Sequence, residues 1–109
     1  MHDHLPILPQ DRSIPIGCIG SGFIMADCHL VAYRANGFNP VAIASRNPVN
    51  ARQVAERHQI PQVYDTYQEL LADTKIPVID VAVPPDVQID VIREIADQTG
   101  LTRKQVVEV

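Results

Sequence analysis

The sequence predicts a single α/β domain built on an open, doubly wound parallel sheet of about five strands, with helices on both faces. Three observations carry this. Strand-like and helix-like segments alternate strictly along the 109 residues. The strand-like segments are near-continuous apolar runs rather than alternating ones, the mark of strands covered on both faces. The first strand-to-helix junction is "GSG", Gly20–Gly22, a turn typical of βαβ units.

Residues 1–13, "MHDHLPILPQDRS", are expected to form a loose arm, and residues 14–109 the domain. Ile14–Gly20 reads as a buried strand with Ile14, Ile16, Cys18 and Ile19 apolar. Phe23–Asn36 follows as a helix, with Phe23, Ala26, Leu30 and Tyr33 at helical spacing and Asn36–Gly37 as the stop. Asn39–Ser45 is a second buried strand. Pro48–His58 is a helix with Asn47 as N-cap and Pro48 in the first turn; Val54 and the stems of Arg52 and Arg57 flank it. A short strand centres on Val63. Thr66–Asp73 is a two-turn helix in which Thr66 and Glu69 fit a capping box. Pro77–Val83 is a fourth strand, ended by Pro84–Pro85. Asp86–Gln98 is a helix with Val87, Val91 or Ile92, and Ile95 inward, closed by Gly100. "KQVVEV" at the end has strand composition.

Composition narrows the function. Apolar residues make up 46% of the chain, enough for a packed core, and the net charge of −4 argues against a broad nucleic-acid surface. No window approaches a membrane span, and the N-terminus lacks the basic and apolar regions of a secretory signal. His2 and His4 are expected to be an unstructured pair on the arm. Cys18 and Cys28 do not form a CxxC motif. Both read as small buried hydrophobes in a reducing compartment, which implies a cytoplasmic location.

The glycine loop points to a dinucleotide. In this fold class, ligands settle outside the carboxyl ends of the strands, where the strand order reverses. Gly20 supplies the tight turn, and Gly22, lacking a Cβ, lets a pyrophosphate approach the backbone. Ser21, Phe23 and Ile24 offer backbone N–H donors at a helix N-terminus. Met25 occupies the third position of GxGxxG, so a slightly wider helix–sheet contact is expected. The bland reading is a structural turn.

The second strand ends in "ASRN", with no acid to accept from a ribose hydroxyl. Ser45 can hydrogen-bond a 2′-phosphate and Arg46 can pair with it or stack on adenine, and Asn47, the last residue of the stretch, is expected at the cofactor with them. NADP is therefore preferred and NAD is the second choice; the alternative is a solvated arginine after a strand. The opposite wall is expected in "VPPDVQ", with Val83, Pro84 and Pro85 against the ribose and Gln88 at the start of the next helix. The alternative there is that Pro84–Pro85 only stops the strand and starts the helix.

On "IGCIGSGFIMADCHLVAYRA", "VAIASRNP", "VYDTYQELLAD" and "IDVAVPPDVQIDVIREIA", in that order and spacing, the chain resembles the N-terminal Rossmann-type domain of the glucose–fructose oxidoreductase/inositol dehydrogenase (Gfo/Idh/MocA) family over about Ile14–Ala96. The resemblance implies NAD(P)-dependent hydride transfer on a sugar, cyclitol or related compound. It also implies a Glu-Lys-Pro motif after the fifth strand, whose lysine helps catalysis, and a following substrate domain. The sequence departs from the family at Met25, and at Gln88, where a histidine is often found. Neither Lys75 nor Lys104 has the motif's context. The expectation is that catalytic residues and substrate domain lie beyond Val109, and that these 109 residues alone do not turn over.

No convincing proton donor emerges from the residues themselves. His29 reads as a packing or surface histidine, His58 as a cation suiting a helix C-terminus, and Tyr64 and Tyr67 as core and capping residues. Asp80, in a buried strand, is expected near the strand's edge or paired to backbone donors. No metal-ligand set is present. The partners expected are the dinucleotide, and a small-molecule substrate only with a second domain. An uncovered sheet edge also favours a homo-oligomer. A non-catalytic nucleotide-binding or self-associating module is the alternative function.

Overall fold

A computed structural model describes residues 12–99 and 105–108. The predicted arm (but for its last two residues), Gly100 and Lys104 lie outside the described residues.

The elements are β1 (Pro15–Ile19), α1, β2 (Asn39–Ala44), α2 (Pro48–His58), β3 (Gln62–Tyr64), α3 (Tyr67–Ala72), β4 (Val78–Val81), α4 (Pro85–Thr99) and β5 (Gln105–Glu108). Here α1 denotes a π-wound segment, Ile24–His29, continued by α-helical Leu30–Ala35. The five strands are parallel in the order β3-β2-β1-β4-β5. The order reverses between β1 and β4, which places a crevice at their carboxyl ends.

Each face of the sheet has its own core. Ile16, Cys18 and Ile43 pack under α1 and α2 with Met25, Ala26, Leu30, Val54 and Ala55. Ile19, Ala42, Ile79 and Val81 pack under α3 and α4 with Leu70, Leu71, Val91 and Ile95. Val91, rather than Ile92, is the fully buried member of that pair, at 1% exposure.

Local chemistry sets the helix ends. The Asn47 side chain accepts from Asn50 N–H at 3.1 Å, and Pro48 occupies the first turn of α2. Gln59 closes α2 in the left-handed region, φ 59°. Thr66 and Glu69 form the predicted capping box reciprocally, at 3.2 and 3.1 Å. Gly37 (φ +74°) turns the chain out of α1, and Phe38 N–H returns to the Tyr33 carbonyl at 2.9 Å.

Three expectations are corrected. Phe23 is not on the inner face of α1: it is 70% exposed, and Met25 is the buried residue. The helix is π-wound there, Leu30 N–H reaching back five residues to the Met25 carbonyl. The wider turn carries Met25 inward and leaves Phe23 on the rim. Cys28 is exposed and only Cys18 is buried; Cys28 falls on the outer side of α1, next to exposed Asp27. Asp80 is neither at an edge nor paired to backbone. It is fully buried in β4, between β1 and β5, and its partners are side chains of α1.

Candidate functional site

The carboxyl ends of β1, β2 and β4 open into one cleft of about 530 Å³. Gly20, Ser21, Gly22, Phe23 and Ile24 line it from the first junction, and Ser45, Arg46 and Asn47 from the end of β2. Val83, Pro84, Pro85 and Gln88 line it from the opposite wall. The structure thus brings every predicted site residue to one cavity.

Its floor is fixed by backbone bonds. Gly20 N–H donates to the Ala44 carbonyl and Ala82 N–H to the Ile19 carbonyl, each at 2.9 Å. These tie β1 to both neighbours just past the strand ends. Gly20 has φ +113°, and a Cβ there would collide with the Ala82 carbonyl; no other residue suits the position. Gly22 differs: a Cβ there meets nothing within 4 Å. Nothing in the fold itself requires a glycine at that point, whereas a group entering the cleft against the backbone would.

Beyond Gly22 the first helical bond is Ala26 N–H to the Gly22 carbonyl, 2.8 Å. The N–H groups of Phe23, Ile24 and Met25 therefore have no intrahelical partner, the arrangement that favours an anion.

A side-chain network holds the loop from behind. Ser21 Oγ–H donates to Ser45 Oγ at 2.9 Å, and Ser45 Oγ–H donates to the Asn47 carbonyl at 2.8 Å. Ser45 Oγ also accepts from Asn47 N–H at 3.1 Å. The one hydroxyl hydrogen of Ser45 is thus spent within the turn. Arg46 is exposed and makes no ion pair among the described residues. Asn50, on α2, donates to both the carbonyl and the hydroxyl of Ser21, at 2.8 and 3.0 Å.

On the far wall, Pro85 is the first residue of α4, and Pro84 accepts from Val87 and Gln88 N–H at 2.9 and 3.1 Å. Both readings of Pro84–Pro85 are therefore compatible: the pair starts the helix and lines the cleft. Ile19, Tyr67, Ala82, Val87 and Val91 also line the cleft, and Asn50 supports it, beyond the residues expected from the sequence. Burial, followed by the Glu94 and Asp90 carboxylates, pushes the Tyr67 phenol above its ordinary range. Polar residues on the first turns of helices after β2 and β3 were the available signal.

The histidines have defined partners. His29 Nδ1–H donates to Asp80 Oδ2 at 2.7 Å, and the Tyr33 hydroxyl to the same oxygen at 2.5 Å. His58 is buried, and its Nε2–H donates to the Ala26 carbonyl at 2.6 Å; since a carbonyl only accepts, that nitrogen carries the hydrogen. His58 therefore anchors α1 rather than only complementing a helix end. Lys75 is exposed before β4, at the end of the sheet opposite the cleft. Among the described residues no group of His, Cys, Asp or Glu could hold a metal ion, and no helix is long and apolar enough to cross a membrane.

A parallel sheet in this order, with a glycine-lined cleft at the switch point, defines a dinucleotide-binding domain. Residues 14–100 match the oxidoreductase family with NAD-binding Rossmann fold (GFO_IDH_MocA), and the chain belongs to that family. It is 32% identical over 82 residues to D-xylose 1-dehydrogenase (NADP(+)) 2 of Haloferax volcanii, covering 75% of this chain and 25% of that protein. It is 37% identical over 76 residues to trans-1,2-dihydrobenzene-1,2-diol dehydrogenase of Xenopus tropicalis, covering 70% and 22%. Levoglucosan dehydrogenase, solved with NADH and levoglucosan, superposes with a TM-score of 0.74 at 26% identity, covering 88% of this chain and 27% of that one. The chain spans about a quarter of the length of these relatives.

Proposed function

We propose that residues 14–109 form the cofactor domain of an oxidoreductase that moves a hydride between NADP(H) and a sugar, cyclitol or related compound. The observation that carries this reading is the cleft at the switch point, where Gly22 leaves open space in front of free helix N–H groups. The cleft residues fit a dinucleotide. The N–H groups of Ser21, Phe23 and Ile24 would receive the pyrophosphate, with Gly22 leaving it room, and Val83, Pro84, Pro85 and Gln88 would face the ribose. Arg46, exposed and without an ion pair among the described residues, would hold a 2′-phosphate. Ser45 has spent its hydrogen on Asn47 and would contribute by shaping the turn. The absence of a carboxylate after β2 removes a repulsion against that phosphate.

When bound, the nicotinamide supplies the hydride chemistry. This chain's described residues bind and orient it; Lys75 faces away from the cleft and supplies no proton there. The proton-transfer group and the substrate pocket would be provided by further residues of the kind the family resemblance implies. Two free cysteines, one of them exposed, agree with a reducing, cytoplasmic setting.

Calorimetric titration of the full chain with NADPH and NADH tests the reading. NADPH is expected to bind more tightly, and Arg46→Ala is expected to remove that preference while sparing NADH. Failure of both nucleotides to bind at millimolar concentration would overturn it.

A further inference from the structure

We infer that His29 and Tyr33, closing on the buried carboxylate of Asp80, form a clamp that sets the height and rotation of α1, and so aims the N–H groups of Phe23 and Ile24 at the cofactor's pyrophosphate. The three are positioning residues, and the inference rests on the dinucleotide reading of the cleft.

Asp80 is 0% exposed, and every other residue of β4 is a Val or Ile. Burying a carboxylate is costly, and replacing a buried charge network by apolar residues is often neutral or stabilising. Fold stability alone therefore gives Asp80 no reason to be there. Its hydrogen bonds go to one place. Oδ2 receives His29 Nδ1–H at 2.7 Å and Tyr33 O–H at 2.5 Å, while Oδ1 has no partner among the described residues. His29 and Tyr33 are four residues apart on α1, one turn, and share a face.

The remaining contacts of α1 with the sheet, through Met25, Ala26 and Leu30, are apolar and non-directional. The clamp adds what they lack, a fixed register. This matters because the start of α1 is π-wound and His29 is the last residue of that stretch. The stretch is held at its other end by Ala26 N–H on the Gly22 carbonyl and from the side by His58 on the Ala26 carbonyl. Releasing His29 and Tyr33 leaves α1 tied by polar side-chain contacts, among the described residues, to α2 alone: through His58, through Asp27–Arg57 at 2.7 Å, and through Arg34 on the His58 and Gln59 carbonyls at 2.8 and 2.9 Å. The winding can then shift relative to the sheet, and a shift moves the N–H groups that face the cleft. The clamp's other half is in β4, which leads directly into the opposite wall at Ala82–Pro85. The clamp therefore joins the two sides of the cleft.

The test uses Asp80→Leu, Asp80→Asn and Tyr33→Phe in the full chain, titrated with 2′-phospho-ADP-ribose and with 2′-AMP, which lacks a pyrophosphate. Asp80→Leu is expected to weaken the first by roughly tenfold and leave the second unchanged; Tyr33→Phe, which keeps the His29 contact, and Asp80→Asn, which keeps an acceptor for Tyr33, are expected to lose less. Equal loss of both ligands, or loss of neither, overturns the clamp. Amide hydrogen exchange without ligand tests the clamp independently. Faster exchange confined to the start of α1 in Asp80→Leu supports it, and uniform acceleration or none overturns it. Should Asp80→Leu fail to fold, Tyr33→Phe carries both measurements. A wild-type chain that binds neither ligand overturns the cofactor reading, and the exchange data then judge the clamp alone.

Discussion

Asn50 reaches from α2 to Ser21 in the glycine loop and donates to its carbonyl and its hydroxyl at once, at 2.8 and 3.0 Å. One amide thus fixes both the backbone and the side chain of a residue inside the cleft. Asn50→Ala strips a half-buried carbonyl of that donor, and a loss of about 1–2 kcal/mol is expected. Urea unfolding measures it. The same variant is expected to weaken NADPH and NADH alike, because Asn50 shapes the loop and does not line the cleft.

Gly20 and Gly22 should separate folding from binding. Gly20→Ala drives a methyl into the Ala82 carbonyl at a φ of +113°, and a loss of about 3 kcal/mol or more is expected. Gly22→Ala places its methyl in open space, so stability should hold within about 0.5 kcal/mol. Nucleotide affinity should nonetheless fall, because the methyl enters the cleft. Thermal melts beside calorimetry distinguish the two outcomes.

The two thiols should react very differently. Cys28 is exposed, while Cys18 is fully buried and its thiol is pushed well above the ordinary 9.0, by burial first and then by the Asp80 carboxylate. The thiolate is the reacting form. Titration of the native chain with a disulfide reagent should modify Cys28 promptly and Cys18 only on unfolding. Two fast thiols would contradict the packing of β1.

Alkaline pH should destabilise the domain through half-buried Tyr33 and buried Cys18. Burial, followed by the hydrogen bond to Asp80, raises the Tyr33 phenol above its ordinary 10.0. The folded chain therefore keeps a proton that the unfolded chain releases. Stability from this source is whole below pH 10 and is lost as pH rises beyond it. Cys18 adds the same sign of slope from pH 9 upward. Urea midpoints measured across this range should fall, and Tyr33→Phe should make the fall shallower.

Much of the architecture is legible in the sequence because helix boundaries are written in short-range chemistry. Asn47 before Pro48, Thr66 three residues before Glu69, and Asn36–Gly37 each mark an end by a rule of local geometry, and each is met. The cleft is legible because a βαβ order fixes where strand ends converge. What stays hidden depends on contacts between distant segments. Asp80 meets residues 51 and 47 positions away, and Asn50 meets a loop 29 positions away. A helical period of 3.6 puts Phe23 inward, whereas the helix winds more widely at that point. Cys28 is misplaced with it, since small apolar-looking residues do not declare which side of a helix they occupy.

The strand order has a consequence for synthesis. β1 leaves the ribosome before the other four strands, yet it lies in the middle of the sheet, between β2 and β4. One of its edges stays unpaired until Val78–Val81 has emerged, while β2 and β3 can already assemble on the other. Non-local pairing of this kind is slow, and an open apolar edge is prone to stray association. The nascent chain therefore carries that edge from the emergence of β1 until β4 follows, and the crevice between β1 and β4 has no second wall before then.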